Sequence, residues 1–444
     1  MSSVGEAGLR TASEDWTGRV WQEAAATLAH SLVPGDRFVV QTGDSLRTAL
    51  ALRAALTVPC TAVLVDHRLP VELKRERIAS VEPTALYDSR SGSLERWSDP
   101  VSLLDPAGLW VFTSGTTGQP RAACLSWEAL TSSAAGVVDV TGLGPGDCWL
   151  SPLPLCHVGG VGVVLRCLAA DAVAELWDRF DPDSLVSRLR SGEVTHLSLV
   201  PRMLERLLGS ASDELEGTAL RWVLVGGGAV PPSLVARARG AGIPAVPTYG
   251  LTEAASTVTL HRADEALLGP GDAGWPLPGR RLRIVDPGLD GIGEIAVGGS
   301  VLAHRYWGGG DAAPLVQDGW LATGDFGRVA GDGRLVVADR RSDLIVSGGE
   351  NVYPAALETR LSELPMIEEV CVLGLPDASW GQQVVAVLRF ASGAGGALEE
   401  VQGWCRENLS AWECPRRWEV RALPLPRNRL GKLQRRALRD ELLP

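Results

Sequence analysis

Short apolar runs alternate with helical patterns through the first half of the chain, and few folds accept that alternation. Arg37 to Gln41 precedes a helical stretch at Ser45 to Leu56, and Cys60 to Val65 precedes another at Pro70 to Ser80. A β-rich run followed by an amphipathic segment is a βα unit, and repeated units build a parallel sheet covered by helices. Leu109 to Thr113, His196 to Val200, Trp222 to Val225 and Ala245 to Tyr249 are further runs of this kind, each leading into Gly, Pro, Ser or Thr. Ligands bind at such carboxyl ends of parallel strands.

The texture changes after about Gly271. Arg281 to Asp286, Gly293 to Val297, and Arg334 to Ala338 after the turn Asp332-Gly333 are short strands separated by glycine turns, which predicts an antiparallel subdomain. From Tyr353 the order is helix (Ala355 to Leu364), strand (Glu369 to Leu373), strand (Gln383 to Phe390), helix (Leu398 to Leu409), strand (Arg417 to Ala422) and helix (Leu433 to Leu443). The expected fold is α/β: a large N-terminal domain of layered α/β subdomains with a small antiparallel β subdomain, then a small α+β C-terminal domain. The boundaries are residues 1–338 and 344–444 about a connection at 339–343.

Composition excludes several functions. A net charge of -11 leaves no general basic face for nucleic acid. Met1 to Trp16 carries Glu6, Glu14 and Asp15 and lacks the basic start and apolar run of a secretory signal, so a cytoplasmic address is expected. The most apolar stretch, Val158 to Trp177, is interrupted by Arg166 and Asp171 and does not read as a membrane span. Eight scattered cysteines lack metal-site or disulfide spacing and read as reduced thiols; Cys156 beside His157 reads as a chance neighbour rather than a nucleophile and base. A homo-oligomer is compatible with all of this.

The chemistry is concentrated in Thr113-Ser114-Gly115-Thr116-Thr117-Gly118-Gln119-Pro120-Arg121, directly after an apolar run. Glycines let backbone N–H groups approach phosphate oxygens, hydroxyls add donors, and a terminal cation offsets charge. It is not a Walker A loop, which closes on Gly-Lys-Ser/Thr. Taken alone, a Ser/Thr/Gly stretch is usually just a loop.

Its company decides. Phe112 to Arg121 is followed in order by Pro154-Leu155-Cys156-His157, Val225-Gly226-Gly227-Gly228, Tyr249-Gly250-Leu251-Thr252-Glu253, Thr323-Gly324-Asp325, Asp339-Arg340-Arg341-Ser342-Asp343 and Gly431-Lys432. This series strongly resembles the adenylate-forming superfamily of acyl- and aryl-CoA ligases, luciferases and peptide-synthetase adenylation domains. The resemblance implies ATP, magnesium and CoA as reactants and cofactor. It implies that Thr113, Ser114, Gly115, Thr116, Thr117, Gly118 and Arg121 cradle phosphate, with Gly227 and Gly228 close to the base. Tyr249 and Gly250 would flank adenine, Thr252 would donate to phosphate, and Glu253 would hold magnesium through a hard oxygen ligand. Asp325 would accept from both ribose hydroxyls, with Arg340 near the same sugar. Lys432 would stabilise charge as a carboxylate meets the α-phosphate. His157, Gly160 and Gly250 would line the acid site, with His157 shifting between half-reactions. The C-terminal domain would be mobile about 339–343, exchanging Lys432 for a face where Gly348 and Gly349 pass CoA.

Read without the resemblance, Lys432 in its basic stretch would be a solvated charge, while core filling for Tyr249, a plain turn for Gly226 to Gly228 and a β-turn for Ser347 to Asn351 are the competing explanations. Two positions depart from the family pattern: Arg121 stands where Lys is usual, trading a point charge for a planar fork, and Ser342 occupies a hinge position more often Asp or Lys.

The run Asp339 to Pro354, with Pro154 to Gly160, Gly162 and Arg166, is most similar to the o-succinylbenzoate–CoA ligases of menaquinone biosynthesis. The resemblance implies an aromatic dicarboxylate, one carboxylate activated and the other recognised by donors within an apolar pocket. Ser198 and Arg202 are the candidates for the second, although Arg202 after Pro201 also suits an exposed helix start. A benzoate-like or short-chain acyl–CoA ligase, or a non-catalytic nucleotide- or acyl-binding relative, are the alternatives.

Overall fold

A computed structural model describes residues 8–11, 14–16, 18–100, 106–113, 121–210, 215, 217–288, 290–308, 315–340, 343–347, 350–377, 379–392, 397–409, 411–427 and 433–443, with the backbone alone at 339, 340, 350 and 351. The described strands form three sheets, and the layered α/β arrangement followed by a small α+β lobe is the one expected.

In the first sheet Gly108–Thr113, Thr61–Asp66, Arg37–Thr42 and Ala85–Asp88 lie parallel. Arg121–Ser126 and Ser93–Arg96 flank them antiparallel, and Arg305–Trp307 edges the sheet beyond Arg121–Ser126. The central strands are apolar almost throughout because helices cover both faces, and Val63, Leu64, Trp110 and Val111 are fully buried. Local chemistry starts the helices. Asp44 caps Ser45–Ala55 by accepting from the Arg47 N–H at 2.8 Å, and Ser126 caps Trp127–Thr141 from the Ala129 N–H.

In the second sheet Val173–Leu176, Cys148–Ser151, His196–Leu199, Trp222–Val225 and Ala245–Leu251 run parallel. Beyond Ala245–Leu251 it continues antiparallel through Ser256–Leu260, Asp272–Pro276, Leu335–Arg340, Trp320–Val329, Gly293–Gly299 and Arg280–Val285. The glycine-punctuated strands are therefore joined to the parallel sheet by backbone hydrogen bonds. The change of direction falls where the chain reverses at Thr252–Ala254.

The third sheet contains Ile345–Ser347, Glu350–Val352, Ile367–Asp377, Gly381–Phe390 and Arg417–Val420, backed by Pro354–Ser362, Leu398–Asn408 and Arg435–Leu442. The second sheet's ladder reaches Arg340, opposite Asp325, and the third begins at Ile345. Among the described residues no helix is long and apolar enough to cross a membrane.

His196 shows how this burial acts on charge. Its ring is fully buried and stacked on Trp149 with centroids 5.0 Å apart. Burial pushes its pKa down to about 4; Asp147 opposes and Arg221 adds to the effect. The unfolded chain titrates near 6.5, so between about pH 6.5 and 4 it binds the proton that the folded protein refuses. Stability should therefore fall by about 3 kcal/mol on acidification through that window. Urea unfolding at pH 7 and pH 5 checks this, and His196→Phe should flatten the dependence.

Candidate active site

The site is organised around the reversal after Ala245–Leu251. Gly250 stands opposite Thr257, and a Cβ there would lie 1.9 Å from the Ser256 carbonyl oxygen. Because that obstacle is backbone, it cannot rotate away. Gly250→Ala should cost about 1–3 kcal/mol and weaken ATP binding, measured by chemical denaturation and nucleotide titration. Ala255 and Ser256 take positive φ angles of 50° and 93°, an unusual conformation for residues with side chains. Such backbone is kept where surrounding structure fixes it, commonly at functional sites.

On one side of the turn, the buried Tyr249 hydroxyl donates to Asp325 Oδ2 at 2.7 Å. The Asp325 N–H donates to Thr323 Oγ1, and Thr323 in turn donates to the Ile295 carbonyl. Two residues expected at the nucleotide thus meet, although they come from different halves of the sheet. Gly227, with φ of 78°, follows Trp222–Val225 beside the same strand, and a Cβ on Gly226 would lie 2.3 Å from Thr248 Oγ1. The Arg340 backbone is opposite Asp325 in the ladder.

On the other side, Glu253 Oε1 accepts from the Tyr306 hydroxyl at 2.5 Å. Burial first, and then the neighbouring carboxylate, raise the Tyr306 pKa, so the phenol remains a donor. Arg121 lies 4.2 Å over the Tyr306 ring, and the Thr113 hydroxyl donates to the Arg121 carbonyl. The two stems of the Ser/Thr/Gly-rich motif are therefore continuous with Glu253. Tyr306 was not anticipated. Its strand Arg305–Trp307 returns to pair with Arg121–Ser126 from far along the chain.

His157 stands at the N-cap of Val158–Ala170. Burial lowers its pKa, with Arg68 and Arg77 reinforcing and Asp66 opposing, which favours the neutral ring. Gly160 has a packing reason of its own, since a Cβ would lie 2.6 Å from the Pro154 carbonyl oxygen. Ser198 accepts from the Trp149 indole N–H at 2.9 Å within the sheet. Arg202 is exposed and paired with Glu205 on its own helix, so the structure does not bring it to this group. Ser114, Gly115, Thr116, Thr117, Gly118, Ser342, Gly348, Gly349 and Lys432 lie outside the described residues.

Arg166 is the residue that stands out instead. It is 3% exposed, donates to Thr257 Oγ1 at 2.9 Å and Ser256 Oγ at 3.4 Å, and lies over Trp149. Its Nε has no hydrogen-bond partner, and no carboxylate faces it among the described residues. Burial, followed by repulsion from the equally buried Arg280, pushes its pKa down to about 10, against a small opposing effect of Cys167. Gly162 leaves the guanidinium room, since a Cβ there would approach Nη2 to 3.1 Å. A buried charge is normally paired. A lone arginine inside an otherwise apolar helix was the available sequence signal.

A parallel sheet ending in a glycine turn, with Tyr249–Asp325 on one side and Glu253 beside the stems of a phosphate-loop motif on the other, defines an adenylate-forming enzyme. The AMP-binding enzyme family model matches residues 94–307 and the AMP-binding enzyme C-terminal domain matches 356–432; the chain belongs to this family. Among relatives, the 2-succinylbenzoate–CoA ligase of Geobacillus kaustophilus is 35% identical over 387 residues, covering 86% of this chain and 78% of that protein. That of Bacillus cytotoxicus is 39% identical over 339 residues, covering 75% and 69%. The o-succinylbenzoate CoA synthetase of Bacillus subtilis, solved with its acyl-adenylate intermediate, superposes with a TM-score of 0.86 at 27% identity, covering 99% of this chain and 96% of that one.

Proposed function

We propose that this chain is an o-succinylbenzoate–CoA ligase of menaquinone biosynthesis. One substrate carboxylate attacks the α-phosphorus of ATP and pyrophosphate leaves; the CoA thiol then displaces AMP from the acyl-adenylate, forming the thioester. The observation that carries the choice of acid is Arg166, a buried cation against Ser256 at the adenylation turn, whose charge a second carboxylate would balance.

The remaining assignments rest on the family resemblance, with the Tyr249–Asp325 and Tyr306–Glu253 contacts in support. Asp325, oriented by Tyr249, receives the ribose hydroxyls, and Arg340 lies beside them. Glu253 would hold magnesium through its carboxylate, and the ion would supply charge neutralisation at the phosphates. Arg121 and residues 113–118 hold phosphate, with Thr252 donating to it, and Gly227 and Gly228 border the base. His157 and Gly160 lie along the acid path; neutral His157 need remove no proton, because the attacking carboxylate is already ionised. Residues 1–338 form the adenylation domain, 339–343 the hinge and 344–444 the mobile domain that brings Lys432 and then Gly348 and Gly349 to the reaction. A cytoplasmic location is part of this reading.

Purified protein given ATP, magnesium and o-succinylbenzoate should release pyrophosphate, and with CoA should accumulate the thioester. Turnover of benzoate or short-chain acids with none of the dicarboxylate would overturn the assignment.

A further inference from the structure

Resting on the ligase reading, we infer that Arg435 is a positioning residue: one guanidinium fastens the root of the Lys432 segment to Asp343, the last hinge residue, so that lysine and pivot move as one body. Arg435 Nη1 donates to Asp343 Oδ2 at 2.7 Å, and Nη2 donates to both Glu358 oxygens at 2.6 Å. Its Nε donates to the Val372 carbonyl at 3.0 Å, while the Val372 N–H donates to Glu358 Oε1 at 2.7 Å. The arginine thereby ties together the hinge end, the helix Pro354–Ser362, the strand Ile367–Asp377 and its own helix, three residues beyond Lys432. Its side chain is only 18% exposed, so solvent screens these ion pairs weakly.

The other root of the segment is held as firmly. Arg427 bridges to Leu433 across residues 428–432, and the Gln434 N–H donates to the Pro426 carbonyl. Arg427 also pairs with the buried Glu369, which accepts from Arg389 and from the Leu425 N–H. Arg427 pairs with Glu369 in the body of the small lobe, whereas Arg435 reaches Asp343 at the hinge end. A planar fork with fixed donor directions suits such a junction, and a lysine would supply charge without the geometry.

The consequence concerns one half-reaction. A displaced ammonium loses rate steeply with small errors of position, so loosening the Arg435–Asp343 pair should slow the step that uses Lys432. Asp343→Asn should lower pyrophosphate release by about 10-fold while leaving thioester formation from supplied acyl-adenylate within about two-fold. Asp343→Glu should recover most of the loss, and Arg435→Lys should repeat the Asn pattern. Equal loss in both steps, or unchanged adenylation, would overturn the inference.

A second measurement is independent of the acid. Amide hydrogen exchange should quicken together at 343–347 and 433–438 in Asp343→Asn; wild-type exchange at both would refute the coupling. Failure of the wild-type enzyme to use o-succinylbenzoate would instead count against the ligase assignment and leave this second result standing.

Discussion

Lys432→Ala should reduce adenylation by about 100- to 1000-fold, the loss typical of removing one preorganised donor from a charge-building transition state. The carboxylate and the α-phosphate are both anions, and their approach concentrates charge on the phosphate oxygens before pyrophosphate departs. A positioned ammonium offsets that charge, whereas in the proposed mechanism thiol attack on a preformed acyl-adenylate follows the exchange of Lys432 for Gly348 and Gly349. Pyrophosphate release measures the first step and thioester formation from synthetic acyl-adenylate the second. The second should persist; equal damage to both would contradict alternating use of the small lobe.

Arg166→Met should change which acid is accepted. Removing one partner of a buried charge pair costs about 2–5 kcal/mol, or roughly 30- to several thousand-fold in kcat/KM. Turnover of o-succinylbenzoate should fall by that factor, while a monocarboxylate analogue of the same skeleton should be little affected. Fold stability distinguishes this from structural damage. Arg166 is buried without an acidic partner among the described residues, so a methionine of similar length should leave the melting temperature unchanged or raise it. A fall in melting temperature with parallel loss on both acids would mean that Arg166 serves the core.

Local signals carried much of this architecture. Trp222–Val225 is a wholly apolar run and Gly381–Phe390 contains the apolar run Val384 to Leu388, and pattern places both within about two residues. Connections between distant segments have no such trace. Nothing local to Arg305–Trp307 announces that it completes the edge beside Arg121–Ser126, so the contact of Tyr306 with Glu253 was invisible. The glycine turns after Gly271 announced antiparallel strands but not their attachment to the parallel sheet, because a ladder is made of backbone groups common to every residue. Arg202 and Arg166 show the same limit for charge. Both follow apolar residues; one turns outward to Glu205 and the other is enclosed by Trp149, Ser256 and Thr257.

The continuous ladder through the Gly250 reversal confines where the enzyme can yield. Tyr249 and Asp325 belong to one hydrogen-bonded frame, so admitting ATP or expelling AMP by parting them would break many backbone bonds. In the proposed mechanism that work falls to the separately bonded small lobe, swinging through water. Turnover limited by such a swing slows in proportion to solvent viscosity, a drag that bond making alone would not feel.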